Sequence, residues 1–267
     1  MPNWTSDLCH VNGINMHFTR TGGGKKSIVF LHGLMTNGLC WSDLAHQLED
    51  DYDIIMPDAR GHGCSSVPDF GYSYEDHAND IAGLIEALKL SHPYVLGHSM
   101  GGMTAAVVAS RKPNLLRGLI LVEPTFLTAK MQREVRDSDV ADQHRTMLKK
   151  TLSEIIEDGE RRHPERSSAI VEIFAEARLQ TSMAAFDVLT PPSPDYMCLI
   201  RHIDAPSLMV FGDKGIISSN LANEIKQTNN KFRIKQIKNA GHSVHLDQPE
   251  LFAEAVKDFL ESIEAHV

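Results

Sequence analysis

The sequence predicts an α/β protein in which helices flank a mostly parallel sheet of eight strands. Two observations predict this class. Short apolar runs typical of strands buried on both faces alternate with amphipathic helical stretches along most of the chain. This alternation stops between residues 125 and 202, where the pattern is helical and charged, and then resumes. We therefore expect a core of residues 1–124 and 203–267, with residues 125–202 inserted as a helical cap.

The predicted elements begin with a hairpin, because Asn12-Gly13 is a strong two-residue turn signal between Asp7–Val11 and Ile14–Thr19. The later strands are predicted at 27–32, 52–57, 94–97, 119–122, 207–211 and 232–237, and the core helices at 38–49, 74–89, 100–110, 218–228 and 249–262. Open α/β sheets bind ligands at the carboxyl ends of their strands. The insertion is placed so that it covers this edge as a lid.

Composition excludes several classes of protein. Hydrophobic residues make up 42% and charged residues 23% of the 267, which is ordinary globular usage and excludes a disordered or collagen-like chain. A net charge of −9 repels phosphates, so we expect no nucleic-acid partner. No apolar run is long enough to span a membrane, and the first residues lack a secretory pattern, which predicts a cytoplasmic protein.

The cysteines and histidines predict neither a metal site nor a disulfide framework. The four cysteines are scattered without a Cys-x-x-Cys pair, and no His-Glu-x-x-His run accompanies the fourteen histidines. We expect reduced, packed thiols and no metal or organic cofactor.

The segment Gly97-His98-Ser99-Met100-Gly101 carries the clearest chemical signal. It lies between a predicted buried strand and a helix, where a Gly-x-Ser-x-Gly turn holds its serine at strained backbone angles. The turn also puts Ser99 at a helix N-terminus, whose dipole favours negative charge developing on an attacked carbonyl. Ser99 is therefore the predicted nucleophile.

A serine hydroxyl is a weak nucleophile and needs a base. His242 follows the last predicted strand, so it lies at the same sheet edge as Ser99, and it comes after the serine in the chain. His245 is interpreted as a packing or rim residue, and His98 and His32 as histidines that stabilise turns.

With these motifs in place, the chain resembles the α/β-hydrolase superfamily, in the branch with a helical cap. The resemblance covers about residues 7–262. It rests on Phe30-Leu-His-Gly33 with Trp41, on Asp58-Ala-Arg-Gly-His-Gly-Cys-Ser65, on the Ser99 turn, and on Gly241-His242 leading into Asp247-Gln-Pro249. It implies an α/β-hydrolase fold whose oxyanion hole is formed by the backbone N–H groups of Leu34 and Met100. The 58–65 segment is interpreted as structural.

The acid of the triad departs from the commonest pattern of this superfamily. Relatives place an aspartate three residues after the glycine that ends the seventh strand, and that position is Gly215 here. Asp213 lies two residues too early. Other branches use an acid just after the sixth strand, where this chain has Glu123. A carboxylate is needed to hold the imidazole tautomer, and we predict Glu123 for this role, with Asp213 as the alternative.

These residues predict a serine hydrolase that cleaves a small or medium carboxylic ester or lactone through an acyl-enzyme on Ser99. The cap is rich in aliphatic residues and methionine, which favours an adaptable apolar pocket and an apolar small-molecule substrate. A cofactor-free perhydrolase, a hydrolase of carbon–carbon bonds and a small-molecule receptor of the same fold remain alternatives. The sequence is also compatible with a homodimer.

Overall fold

The computed structural model describes residues 4–265, which contain one eight-stranded sheet. The strands run along the sheet in the order β1-β2-β4-β3-β5-β6-β7-β8, and all neighbours from β4 to β8 are parallel. Their bounds are β1 Thr5–Val11, β2 Ile14–Arg20, β3 Lys26–Leu31, β4 Tyr52–Pro57, β5 Tyr94–His98, β6 Gly118–Val122, β7 Ser207–Gly212 and β8 Phe232–Ile237. The predicted fold class is confirmed.

The hairpin at the start of the sheet forms as its turn residues predict. β1 pairs antiparallel with β2, and Val11 lies opposite Ile14. Asn12 and Gly13 have φ values of 46° and 79°, so both residues have the positive φ of a type I′ turn.

Helices cover both faces of the sheet. On one face α2 (Tyr74–Ala87), α3 (Met100–Arg111) and α9 (Ser219–Thr228) contribute to one buried apolar cluster, and on the other α1 (Ser42–Leu48) and α11 (Pro249–Glu264) contribute to a second. The predicted helix over 38–49 is divided, because a 3-10 turn at Gly38–Trp41 precedes α1. The short helix α10 (Val244–Asp247) was not predicted.

Five helices and a 3-10 helix lie between β6 and β7. They are α4 (Ala129–Arg136), α5 (Val140–Met147), α6 (Leu152–Arg162), α7 (Ser168–Leu179), the 3-10 helix Met183–Leu189, and α8 (Tyr196–Arg201). Hydrogen bonds join this helical segment to loops of the sheet. Ser182 N–H donates to the carbonyl of Gly61 at 2.8 Å, and Asn37 Nδ2 donates to Gln180 Oε1 at 3.0 Å. No helix among residues 4–265 is long and apolar enough to cross a membrane.

Buried histidines make the fold sensitive to acid, and His77 on α2 is the clearest case. Burial lowers its pKa from 6.5 to about 3, assisted by the nearby charge of Arg60. Below pH 6.5 the unfolded chain binds a proton that the folded chain does not, so stability falls as the pH falls. At pH 5 this costs about 2 kcal/mol, since one pKa unit corresponds to about 1.4 kcal/mol.

We therefore expect the loss of unfolding free energy between pH 7.5 and 5.0 to be about 2 kcal/mol smaller in His77→Gln than in the wild type. Urea denaturation at the two pH values measures it. His10→Gln, whose ring is exposed on β1, is the control. Equal pH dependence in wild type and His77→Gln would contradict this account of His77.

Candidate active site

Ser99 occupies the sharp turn between β5 and α3. Its φ of 54° and ψ of −116° lie outside the regions that non-glycine residues ordinarily adopt. The flanking glycines permit the turn. A Cβ at Gly97 would overlap the backbone of Gly101, and one at Gly101 would overlap the carbonyl of Leu31. The strained angles hold the serine hydroxyl at the carboxyl edge of the sheet.

His242 reaches this hydroxyl from the loop after β8. Its Nε2 lies 3.0 Å from Ser99 Oγ, and its Nδ1 lies 3.5 Å from Oε2 of Glu123. A carboxylate only accepts hydrogen bonds, so the ring proton belongs on Nδ1 and leaves Nε2 free to accept from the serine. This is the tautomer that a general base requires.

Glu123 follows β6 directly and is completely buried. Its φ of 44° is a second strained backbone position at the site. Oε1 accepts from Gly212 N–H at 2.9 Å, and Oε2 accepts from Ile216 N–H at 2.7 Å and Ile217 N–H at 3.4 Å. These backbone donors fix the carboxylate beside His242. The structure thus brings together Ser99, His242 and Glu123.

Asp213, the alternative acid, lies apart from this cluster. It is exposed, and its Oδ1 accepts from Ala240 N–H at 3.1 Å. Hydrogen bonds from the backbone of Asn239 and Ala240 lower the pKa of its carboxyl group. Gly215, the position at which relatives place the acid, lies directly against Glu123, and a Cβ there would overlap the Glu123 carboxylate. In this chain the two acid positions exclude each other sterically.

Gly215→Ala should therefore displace the Glu123 carboxylate. We expect the turnover number at this site to fall at least tenfold and stability to fall by about 1–3 kcal/mol, the usual cost of overpacking. Gly23→Ala is the control, because a Cβ there meets only an ordinary contact with Arg20. Kinetics and thermal melting measure both effects, and wild-type values for Gly215→Ala would contradict the steric argument.

The neighbouring histidines are unsuited to act as the base. Burial holds the pKa of His98 well below its usual range, and its Nε2 donates to the carbonyl of His242 at 2.9 Å. Burial lowers the pKa of His245 to about 3, and its ring packs against Trp41 at a tilt of 35° with 4.5 Å between centroids. His32 accepts from Ala59 N–H through Nε2 at 2.9 Å. These contacts fit the structural roles expected for all three.

Two backbone N–H groups are available for an oxyanion. Met100 is the first residue of α3, where amides have no intrahelical acceptor, and Leu34 follows β3. Both residues line the cavity that contains Ser99. Their role as the oxyanion hole stays a prediction.

The cavity above Ser99 has a volume of about 550 Å³. Helical-segment residues Leu127, Val135, Val140, Phe174, Val188 and Leu189 give it an apolar wall. The methionines Met131, Met147 and Met197 do not contribute to this wall, whereas Met35 and Met100 do. The sequence analysis missed Arg166 and Arg178, which line the cavity. Helical periodicity alone does not say which charged residues of a mixed helix face inward.

One cluster could offer ligands to a metal. His17, Asp58 and Cys64 place one ligand atom each within 4.8 Å of one another. Asp58, however, already accepts from His17 Nδ1 at 2.8 Å, from Cys64 N–H at 2.9 Å and from Gly38 N–H at 2.8 Å. These hydrogen bonds stabilise the 58–65 loop, which agrees with the structural role expected for this segment.

Comparison with known proteins defines the family. Residues 26–249 match the family model described as the alpha/beta hydrolase fold. This chain is an α/β hydrolase.

Curated relatives resemble the α/β hydrolase over nearly its whole length. It is 26% identical over 258 residues to the 2-(acetamidomethylene)succinate hydrolase of Mesorhizobium japonicum, covering 91% of each chain. It is 28% identical over 262 residues to the N-formylmaleamate deformylase of Pseudomonas putida, covering 94% of each chain. A crystal structure of an E-2-(acetamidomethylene)succinate hydrolase superposes with a TM-score of 0.84 at 23% identity, over 97% of this chain and 100% of that one.

Proposed function

We propose that this hydrolase cleaves a carboxylic ester or lactone through an acyl-enzyme on Ser99. The observation that carries the proposal is the 3.0 Å contact between Ser99 Oγ and His242 Nε2. As Oγ attacks the carbonyl carbon, its proton passes to Nε2. The carbonyl π-electron pair moves onto oxygen, where the N–H groups of Leu34 and Met100 stabilise the charge. Protonated His242 then gives its proton to the leaving alkoxide.

Water completes the cycle by the same steps. His242 Nε2 removes a proton from water, hydroxide adds to the acyl carbon, and Ser99 Oγ leaves and recovers the proton. Glu123 keeps the ring proton on Nδ1 and stabilises the imidazolium. Every proton is returned, so the cycle needs no cofactor.

The substrate class follows from the cavity. A volume of about 550 Å³ with an apolar wall suits a small or medium acyl group. We propose that residues 125–202 act as the cap that selects it, since many of the lining residues belong to this segment. An amide is a second candidate for the group that is cleaved. Two relatives that match over most of their length are a 2-(acetamidomethylene)succinate hydrolase and an N-formylmaleamate deformylase, and both named substrates contain an amide.

Hydrolysis of p-nitrophenyl esters of increasing chain length tests the proposal. We expect multiple turnovers and an optimum at a short or medium acyl chain. Anilides and lactones with the same acyl chains show whether amides or lactones are hydrolysed faster than esters. A receptor of this fold would instead turn over very slowly while its melting temperature rises with ligand. A single slow turnover with every substrate class would therefore contradict the proposal.

A further inference from the structure

Arginines line the cavity above Ser99 in a protein whose net charge is −9. Two arginines line it, Arg166 and Arg178, and no aspartate or glutamate occurs among the described residues of its wall. The wall of the cavity thus differs in its charged residues from the chain as a whole. The charge of the cavity is therefore a local feature that needs its own explanation.

Arg178 on α7 has no protein partner. Within residues 4–265 its guanidinium makes no hydrogen bond and no ion pair, although the side chain is half-buried. Burial and the charges of Arg162 and Arg166 lower its pKa. A guanidinium stays protonated in proteins, so a partly buried positive charge here has no anionic partner. Such an arrangement destabilises the empty protein and favours a bound anion.

Arg166 is only loosely held. Its Nη2 lies 3.5 Å from Asp247 Oδ1 and its Nε 3.8 Å from Glu165 Oε1, both beyond good hydrogen-bond geometry. Its Nε is buried without a hydrogen-bond partner. It therefore retains donors for a ligand.

Arg178 lies beside a turn of the sheet region that also lines the cavity. α7 packs against the 3-10 turn Gly38–Trp41, and Arg178 is close enough to Cys40 for its charge to lower that thiol's pKa, which burial raises to about 12. Trp41 belongs to the same turn, lines the cavity, and has a buried Nε1 donor without a partner. Two neighbouring elements of the wall, α7 and this turn, thus each carry a donor without an acceptor.

We propose that Arg178, with Arg166 beside it, forms a subsite for a carboxylate carried by the acyl part of the substrate. The inference rests on the proposed hydrolysis at Ser99 and narrows its substrate class from an apolar ester to an anionic one. A planar guanidinium fork matches a carboxylate through two parallel hydrogen bonds. One fully unpaired arginine balances one negative charge, which favours a monocarboxylate over a doubly charged phosphate ester. The apolar wall would hold the carbon chain between the carboxylate and the scissile bond.

A pair of substrates that differ in one carboxylate tests this subsite. They are p-nitrophenyl hexanoate and the mono-p-nitrophenyl ester of adipic acid, with buffer lacking enzyme supplying the rate of uncatalysed hydrolysis. In the wild type we expect kcat/KM to be higher for the adipate ester. Arg178→Met should lower the adipate-to-hexanoate ratio of kcat/KM by roughly 10- to 100-fold, the effect of losing a charge-assisted hydrogen-bonded pair.

Arg161→Met is the matched control. Arg161 is an exposed cap arginine that pairs with Asp158 and does not line the cavity. Its replacement should leave the ratio unchanged. An equal ratio in wild type and Arg178→Met, with hydrolysis intact, would overturn the subsite and leave the proposed function standing.

Ligand binding to an inactive variant tests the carboxylate subsite independently of the proposed hydrolysis. Calorimetry on Ser99→Ala should detect monomethyl adipate, and Ser99→Ala/Arg178→Met should bind it roughly 10-fold or more weakly. This result would support the subsite even if the wild type hydrolysed no ester. Arg178→Met should also melt no lower than the wild type in the absence of ligand, because it removes a half-buried charge that has no anionic partner. A markedly destabilised or unfolded Arg178→Met would assign the arginine a structural role and overturn the proposal.

Discussion

Ser99→Ala should lower kcat/KM for the best ester by about 10⁴- to 10⁶-fold while the protein stays folded. The variant removes only Oγ, the atom that His242 Nε2 contacts at 3.0 Å. The remaining rate would come from the backbone donors and from binding in the cavity. Steady-state kinetics with p-nitrophenyl esters measures the loss, and thermal melting verifies the fold.

Ser110→Ala is the matched control for this change. It lies on the same helix, about 16 Å further along at 1.5 Å per residue, and its replacement should leave kcat/KM within about twofold, as for most surface changes. Activity in Ser99→Ala equal to that of Ser110→Ala would remove Ser99 from the mechanism.

Glu123→Gln should lower kcat by about 10³- to 10⁴-fold, because an amide cannot hold His242 in the required tautomer or stabilise its protonated ring. The amide NH₂ would also face backbone N–H groups of Gly212 or Ile216 that now donate to the carboxylate. The effect should appear mainly in kcat, since Glu123 is buried behind the histidine and does not line the cavity.

Asp213→Asn is the comparison that decides between the two acids. Asp213 accepts from Ala240 N–H through an oxygen that asparagine retains, so we expect a change of about threefold at most. Both variants are measured in the same assay. A severe loss of kcat in Asp213→Asn with little change of kcat in Glu123→Gln would reverse the assignment of the acid.

Most of the sheet was predictable because its signals are local. The Asn12-Gly13 turn determines the first hairpin, and Gly97 is required by the close approach of the Gly101 backbone within the same turn. The position of Glu123 was predictable because the residue that follows a parallel strand must emerge at the ligand-binding edge. Its steric exclusion of a side chain at Gly215 was not, since the two residues are 92 positions apart and meet only in the folded chain.

The cavity wall could not be predicted from the sequence. Arg178 is one of many charged residues on the helices between β6 and β7, and only the packing of α7 against the Gly38–Trp41 turn directs it inward. For the same reason the sequence could not show that Met131, Met147 and Met197 lie outside the cavity wall. Local periodicity predicts that a helix forms, whereas its orientation depends on contacts with distant segments.

The central claim is that the acyl group passes through Ser99. Intact-protein mass spectrometry on samples quenched with acid during turnover of a p-nitrophenyl ester tests it most directly. We predict a transient species heavier by one acyl group, with the modification on the peptide that contains Ser99 and absent from Ser99→Ala. Ester turnover without this species, or the same adduct on Ser99→Ala, would contradict the account.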